Sequence, residues 1–240
     1  PDYNVQYAYL ETFLELPWGI NSELNQDFGK AEEYGIRKCF ELFGLGECTD
    51  EMLSCYSRIN RKYWEMLERG ELTKPEVLRG RFAEFFETED IVFDRIDDFN
   101  LEYQYRLGDK VFFCDNGLET LQSLKGKVKQ YAVTNGTYVA QSRKLSQSGL
   151  DKIFDGIFIS DKIGFEKPSI EFFDAVQKEI GEFNHEEVMI IGDSLTSDIR
   201  GGNNVDILCC WYNPYGVENH EDLRIDYEIS DIADVLKFLE

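Results

Sequence analysis

From about Val111 to the C-terminus the chain alternates short apolar runs with helical patterns, and this alternation limits the fold more than any other feature. The runs are "VKQYAVTNG", "FDGIFIS", "VMIIGD" and "DILCCWYN"; between them stand "TYVAQSRKLSQSG", "PSIEFFDAVQKEIG" and "SDIRGGNN". Short, nearly continuous apolar runs suit strands buried on both faces, and strands that alternate with helices pair in parallel. The expectation is an α/β fold built on a doubly wound, Rossmann-like parallel sheet. Gly149, Gly181 and Gly201 punctuate the intervening helical patterns and read as helix C-caps.

The texture differs from about Lys30 to Phe99. There "KAEEYGIRKCFELFG" sets Ala31, Tyr34, Ile36, Cys39, Phe40 and Phe43 near helical spacing, and "DEMLSCYSRINRKYWEMLERG" continues the pattern. This block reads as all-helical. A doubly wound sheet also needs a central first strand, for which "YNVQYAYLETFLEL" is the one candidate, interrupted by Gln6, Glu11 and Glu15. Pro17 argues against a central strand in "LELPWGINS".

Open parallel sheets bind ligands at the carboxyl ends of their strands, where loops converge and helix N-termini present N–H groups. After "QYAV" come Thr134, Asn135 and Gly136, a hydroxyl and backbone amides able to hold an anionic oxygen. After "GIFIS" comes "DKIGFEKPS", with Lys167 set before Pro168 and a helix behind it; after "VMII" come Gly192 and Asp193, with Asp198 at the start of the next helix. Singly, these read as a turn, a surface charge and a first-turn carboxylate. In this order, each at a strand end, they point to phosphate chemistry. Mg²⁺ takes one or two carboxylates and keeps several waters, so Asp193 would hold it with Asp198 in support. Thr134, the amides after it, Lys167 and the cation would then neutralise the charge on a transferring phosphoryl group.

Composition narrows the partners. The formal charge of −22, with no basic cluster, disfavours nucleic acid and anionic membranes and suits a small-molecule phosphate ester held by a local cation. No apolar run is long enough for a membrane span, and no secretory leader pattern opens the chain, so a cytoplasmic protein, monomeric or weakly dimeric, is expected. Six cysteines without a C-x-x-C pair read as reduced thiols. The only histidines, His185 and His220, lie in polar, loop-like settings that make a histidine triad or zinc site improbable.

These residues resemble the motifs of the haloacid dehalogenase superfamily of phosphohydrolases: "VTNG" is similar to its second motif, "EKP" to its third and "GDSLTSD" to its fourth. The helical block looks like the cap such enzymes insert after their first strand, and "NRKYWEMLERGELTKPEVLRGRFAEFF" resembles that of the pyrimidine 5'-nucleotidase-like branch. The likeness runs from about Asp27 to the C-terminus. It implies a core of residues 1–28 and 108–240, and a helical cap of residues 29–107 hinged near Phe28 and Gly108. It further implies that Thr134 binds the transferring phosphoryl group, assisted by Asn135 and Gly136, that Lys167 pairs with it and with the nucleophile, and that Asp193, with Asp198, serves the Mg²⁺. In the cap, Asn60 and Arg81 stand beside Tyr63, Trp64, Phe82, Phe85 and Phe86 as candidate substrate contacts, most of those aromatics reading as cap core. The implied substrate is a small phosphomonoester, a nucleoside 5'-monophosphate by resemblance with sugar phosphates and other small phosphoesters open, hydrolysed through an aspartyl-phosphate-type mechanism.

One part of the family pattern is missing. Its first motif, D-x-D-x-T, supplies the nucleophile and the general acid and base at the end of the first strand. Spacing back from "QDFGKAEEYGI" puts those positions near Ile20 and Ser22, neither of which can serve; with a gap, "YLET" offers Glu11. Three functions therefore stand side by side: a Mg²⁺-dependent phosphatase with an unusual first segment, a phosphate-binding or regulatory relative without its nucleophile, and a receiver-like signalling domain. Length and the helical insertion count against the third.

Overall fold

The computed structural model describes residues 7–10, 29–113 and 116–238. Six parallel strands form its sheet: β1 (Tyr7–Leu10), β2 (Lys129–Thr134), β3 (Gly156–Ile159), β4 (Val188–Gly192), β5 (Leu208–Tyr212) and β6 (Tyr227–Ile229), in the order β3-β2-β1-β4-β5-β6. The strand expected in "YNVQYAYLETFLEL" is therefore present and central. Leu10, its last paired residue, lies opposite Ala132 on one side and Ile191 on the other. The order turns back between β1 and β4, which opens a crevice at that point of the carboxyl edge. Edge strand β6, three residues long, carries too short a pattern to announce itself in the sequence.

Continuous apolar runs make β4 and β5 buried along their whole length. Alternate residues of β4 serve opposite faces: Met189 and Ile191 pack with Leu121, Cys210 and Val235, whereas Val188 and Ile190 pack with Val133, Phe172 and Cys209. Four helices, α1 (Lys30–Phe43), α2 (Asp50–Glu68), α3 (Lys74–Thr88) and α4 (Ile96–Leu107), gather around a third cluster in which Phe40, Tyr56, Phe82, Phe85, Phe86, Phe99 and Tyr103 are fully or almost fully buried. The rings meet edge-on or stacked, as in the Tyr56–Phe82 pair at 5.2 Å, and each such burial is worth roughly 1.5–3 kcal/mol. Phe82, Phe85 and Phe86 are thus core residues.

Helices α5 (Gly117–Leu124), α6 (Tyr138–Ser148), α7 (Ser160–Ile163), α8 (Ile170–Ile180) and α9 (Arg200–Asn204) accompany the sheet. Thr137 and Ser169 cap α6 and α8, each accepting a hydrogen bond from the backbone three residues on. Gly149 and Gly181 end α6 and α8 at positive φ, as expected. Gly201 does not cap: it lies inside α9, where a Cβ would stand 2.7 Å from the Phe173 ring, so close packing of two helices selects it. The five described cysteines are free and buried, while Cys114 lies outside the described residues. No described helix is long and apolar enough to cross a membrane.

Candidate active site

Three loops meet at the carboxyl edge around the crevice. The first leaves β2 at Thr134, which is buried with Asn135. The Thr134 hydroxyl accepts from the Gly136 amide at 3.1 Å, a short turn that delivers the chain straight into the Thr137 cap of α6. The Asn135 amide group turns toward the second loop: its Nδ2 donates to the Lys167 carbonyl and its Oδ1 accepts from the Lys167 amide, both at 2.8 Å. Asn135 therefore fixes the backbone of the lysine rather than facing the crevice with both polar atoms.

Lys167 has no exposed surface. Its ammonium donates to Asp198 Oδ1 at 2.6 Å and to the Val133 carbonyl at 3.2 Å. Burial pushes the ammonium below its ordinary range against the opposing pull of Asp198. Asp198 sits in a single π-helical turn, Leu195–Ile199, entered from β4 through Gly192 and Asp193. Its second oxygen accepts from the Ser194 amide at 3.1 Å, so both carboxylate oxygens already have donors. A Cβ on Gly192 would fall 2.2 Å from that oxygen, which is why the strand must end in glycine. Asp193, half-buried, is held above the usual carboxylate range by burial first and by the Asp198 charge next. The Trp211 indole donates to its carbonyl at 2.9 Å and fixes the loop.

The donor set fits a hard divalent cation. Two carboxylates share one strand end, and the buried, repelled state of Asp193 is one that a cation beside it would relieve. Asp198, committed to Lys167 and Ser194, would stand behind Asp193. Among the described residues no group of three His, Cys, Asp or Glu converges on one point. Ile20, Ser22 and Glu11, the positions considered for the missing first motif, also fall outside the described residues.

Asn60 and Arg81 bond mainly within the helical block. Asn60 Nδ2 donates to Glu32 at 2.7 Å, and Asn60 Oδ1 accepts from Arg81 at 2.8 Å and from the Trp64 indole at 3.1 Å. Arg81 also donates to Asn100 at 3.0 Å and lies over the rings of Phe82 and Tyr103. Both side chains are buried, and Arg81 lines a small space of about 10 Å³ together with Gly136 and Thr137 of the loop after β2. Burial pushes Glu32 in this network up to about 8, against the pull of Arg81 and two further cations. A larger cleft, of about 280 Å³ among the described residues, lies between Trp64, Glu68 and Arg69 of the α2 end and the loops that follow β4 and β5.

Two charged residues that sequence reasoning passed over join helices to these loops. Thr196 donates to Glu68, the last residue of α2, which is pushed up to about 8 by burial first and in part by Asp198. Lys74, the first residue of α3, reaches Ser160 and Asp161. A signal was present, since an acid ending one helix and a base opening the next both oppose the helix dipole.

The haloacid dehalogenase-like hydrolase family matches residues 19–206. The chain belongs to this family. It is 34% identical over 215 residues to YfnB of Bacillus subtilis (strain 168), a HAD-hydrolase by name, covering 89% of this chain and 90% of that one. It is 32% identical over 218 residues to the pyrimidine 5'-nucleotidase PynA of Streptococcus pneumoniae (strain ATCC BAA-255 / R6), with 89% and 90% covered. The crystal structure of Bacillus subtilis YfnB bound to magnesium superposes with a TM-score of 0.86 at 29% identity over 98% of this chain and 99% of that chain. This HAD hydrolase thus has the α/β core that its strand pattern implied.

Proposed function

We propose that this hydrolase is a Mg²⁺-dependent phosphomonoesterase acting on nucleoside 5'-monophosphates, with a cap of residues 29–107 over a core of residues 1–28 and 108–240. One observation carries the reading: a wholly buried Lys167–Asp198 ion pair at the carboxyl edge, flanked by Thr134 and Asp193. Buried ion pairs contribute little net stability, so one built at the edge where such sheets bind ligands is better explained by chemistry than by packing. The name of PynA extends the reading to pyrimidine nucleotides.

In this scheme the Thr134 hydroxyl and the amides around Gly136, at the mouth of α6, hold the phosphoryl oxygens. Lys167 supplies fixed positive charge, Asn135 keeps its backbone in place, and Asp198 keeps the ammonium protonated despite burial. Asp193, with Asp198 behind it, would hold Mg²⁺, which when bound neutralises phosphoryl charge. The nucleoside would seat in the cleft between the α2 end and the loops after β4 and β5, with Trp64 at its wall and water excluded as the helices close. The attacking group belongs at the end of β1, where the sequence reads Leu10-Glu11 and not the family's aspartate. That departure keeps a second reading, a phosphate-binding relative without turnover, beside the first. Assay against pyrimidine and purine 5'-monophosphates and sugar phosphates, with and without Mg²⁺, separates them: hydrolysis of none of these, with peptide mass spectrometry confirming "LELPWGINSELNQ", removes the enzyme reading.

A further inference from the structure

Lys74 opens α3 in the least favourable place for a cation, the first turn of a helix, where the dipole prefers acids. Its backbone is nevertheless set firmly. The Glu76 carboxylate accepts from both the amide (2.8 Å) and the hydroxyl (2.7 Å) of Thr73, and Pro75 follows within the first turn. Helix stability does not explain the lysine; its contacts across the molecule do.

The ammonium, nearly buried, touches one short segment three times: Ser160 Oγ at 2.6 Å, Asp161 Oδ1 at 2.7 Å and Glu166 Oε1 at 3.2 Å. Glu166 immediately precedes Lys167. The other oxygen of Asp161 accepts from the Tyr138 amide at 2.8 Å, at the start of α6 and four residues after Thr134. One cap ammonium thus meets both ends of the segment that leads from β3 to Lys167, and through Asp161 it meets the turn that carries Thr134. Without it, Asp161 and Glu166 would face each other uncompensated, and the segment between them would lose its tie to α3.

We propose that Lys74 is a positioning residue of the hydrolytic reaction: by seating on Ser160, Asp161 and Glu166 it couples docking of the helical block to the placement of Lys167 and the Thr134 turn. The inference rests on the phosphatase reading for its kinetic part and on geometry alone for the rest, so the two can fail separately. Three variants of the full chain test it: Lys74→Met, which keeps the apolar stem, Lys74→Arg, and Asp161→Asn, which loses charge from the core side yet can still accept from Tyr138. Lys62→Met, which breaks the Lys62–Glu84 pair between α2 and α3, is the control.

Hydrogen exchange should quicken at least about tenfold in segments 134–138 and 160–167 of Lys74→Met and Asp161→Asn, while β4 and β5 keep wild-type protection. With a phosphomonoester, kcat should fall about tenfold or more with KM changed less than about threefold, and Lys74→Arg should recover most of it. A purely structural strut would lower the melting temperature without this split. If Lys74→Met fails to fold, Asp161→Asn decides alone. Exchange in the two segments matching that of Lys62→Met overturns the inference, as does an unchanged kcat. If the wild type hydrolyses no phosphomonoester, the functional reading falls and exchange alone decides the positioning role.

Discussion

Two of the buried networks of charged side chains among the described residues differ chiefly in what surrounds them. At the carboxyl edge, Lys167 and Asp198 pair beside an Asp193 that still borders an open cleft. Inside the helical block, Glu32, Asn60 and Arg81 are also buried and hydrogen-bonded to one another, but aromatic rings lie against Arg81. Burial, charge and hydrogen bonding alone do not tell the two networks apart. They differ in position: the first lies at the switch of strand order, where open parallel sheets bind ligands.

The sharpest way to break this comparison is to remove one cation from each network. Lys167→Met should cut turnover about a thousandfold and, by stranding the buried Asp198 charge, cost about 3–5 kcal/mol in denaturant unfolding. Adding Asp198→Asn should restore much of the stability and none of the turnover. Recovery of activity in the double variant would show that the lysine only balances charge. Gly192→Ala should come next, lowering turnover about a hundredfold, because the new methyl displaces the Asp198 carboxylate. Turnover within a factor of two of wild type would mean that the carboxylate can move without consequence. Arg81→Met should cost about 1–3 kcal/mol, because Asn100 loses a donor and Asn60 Oδ1 loses one while keeping the Trp64 indole, yet leave turnover per folded molecule within about threefold. A selective loss of turnover there would return Arg81 to the substrate site.

The smallest effect concerns pH. Glu68 is pushed up to about 8, so as pH rises from the ordinary carboxylate range through about 8 the folded state must give up a proton that the unfolded chain has already lost. Stability should decline over that window, and Glu68→Gln should remove a part of the decline on the order of 1 kcal/mol, the group being only partly buried. Parallel pH–stability curves for the two proteins would contradict this.

The legibility of these regions in the sequence follows the same division. Strand ends are local: "VTNG", "EKP" and "GDSLTSD" put Thr134, Lys167 and Asp193 on the loops of the carboxyl edge, where the structure has them, because a buried strand must be followed by its loop. What each side chain bonds to is not local. Lys167 and Asp198 are thirty-one residues apart in sequence, and the Asn135 clamp spans thirty-two. In the helical block, periodicity found the buried aromatics but not that Arg81 turns inward among them, since polar residues at helical spacing look alike whether they face a cleft or a neighbouring helix. Gly201 was misread for a related reason: near a helix end, a glycine chosen for close packing and one chosen for a left-handed cap share one letter.

The central claim is that the edge around Asp193 is a phosphoryl-hydrolysing centre and not a packing device. Turnover of a pyrimidine 5'-monophosphate by wild type and by Asp193→Asn, measured across a Mg²⁺ titration with unfolding followed in parallel, tests it most directly. The account predicts metal-dependent hydrolysis by wild type and a loss beyond about a hundredfold in Asp193→Asn, with stability in the absence of metal equal or higher because a half-buried carboxylate repelled by Asp198 has gone. Equal turnover and equal metal dependence in a folded Asp193→Asn protein would contradict it.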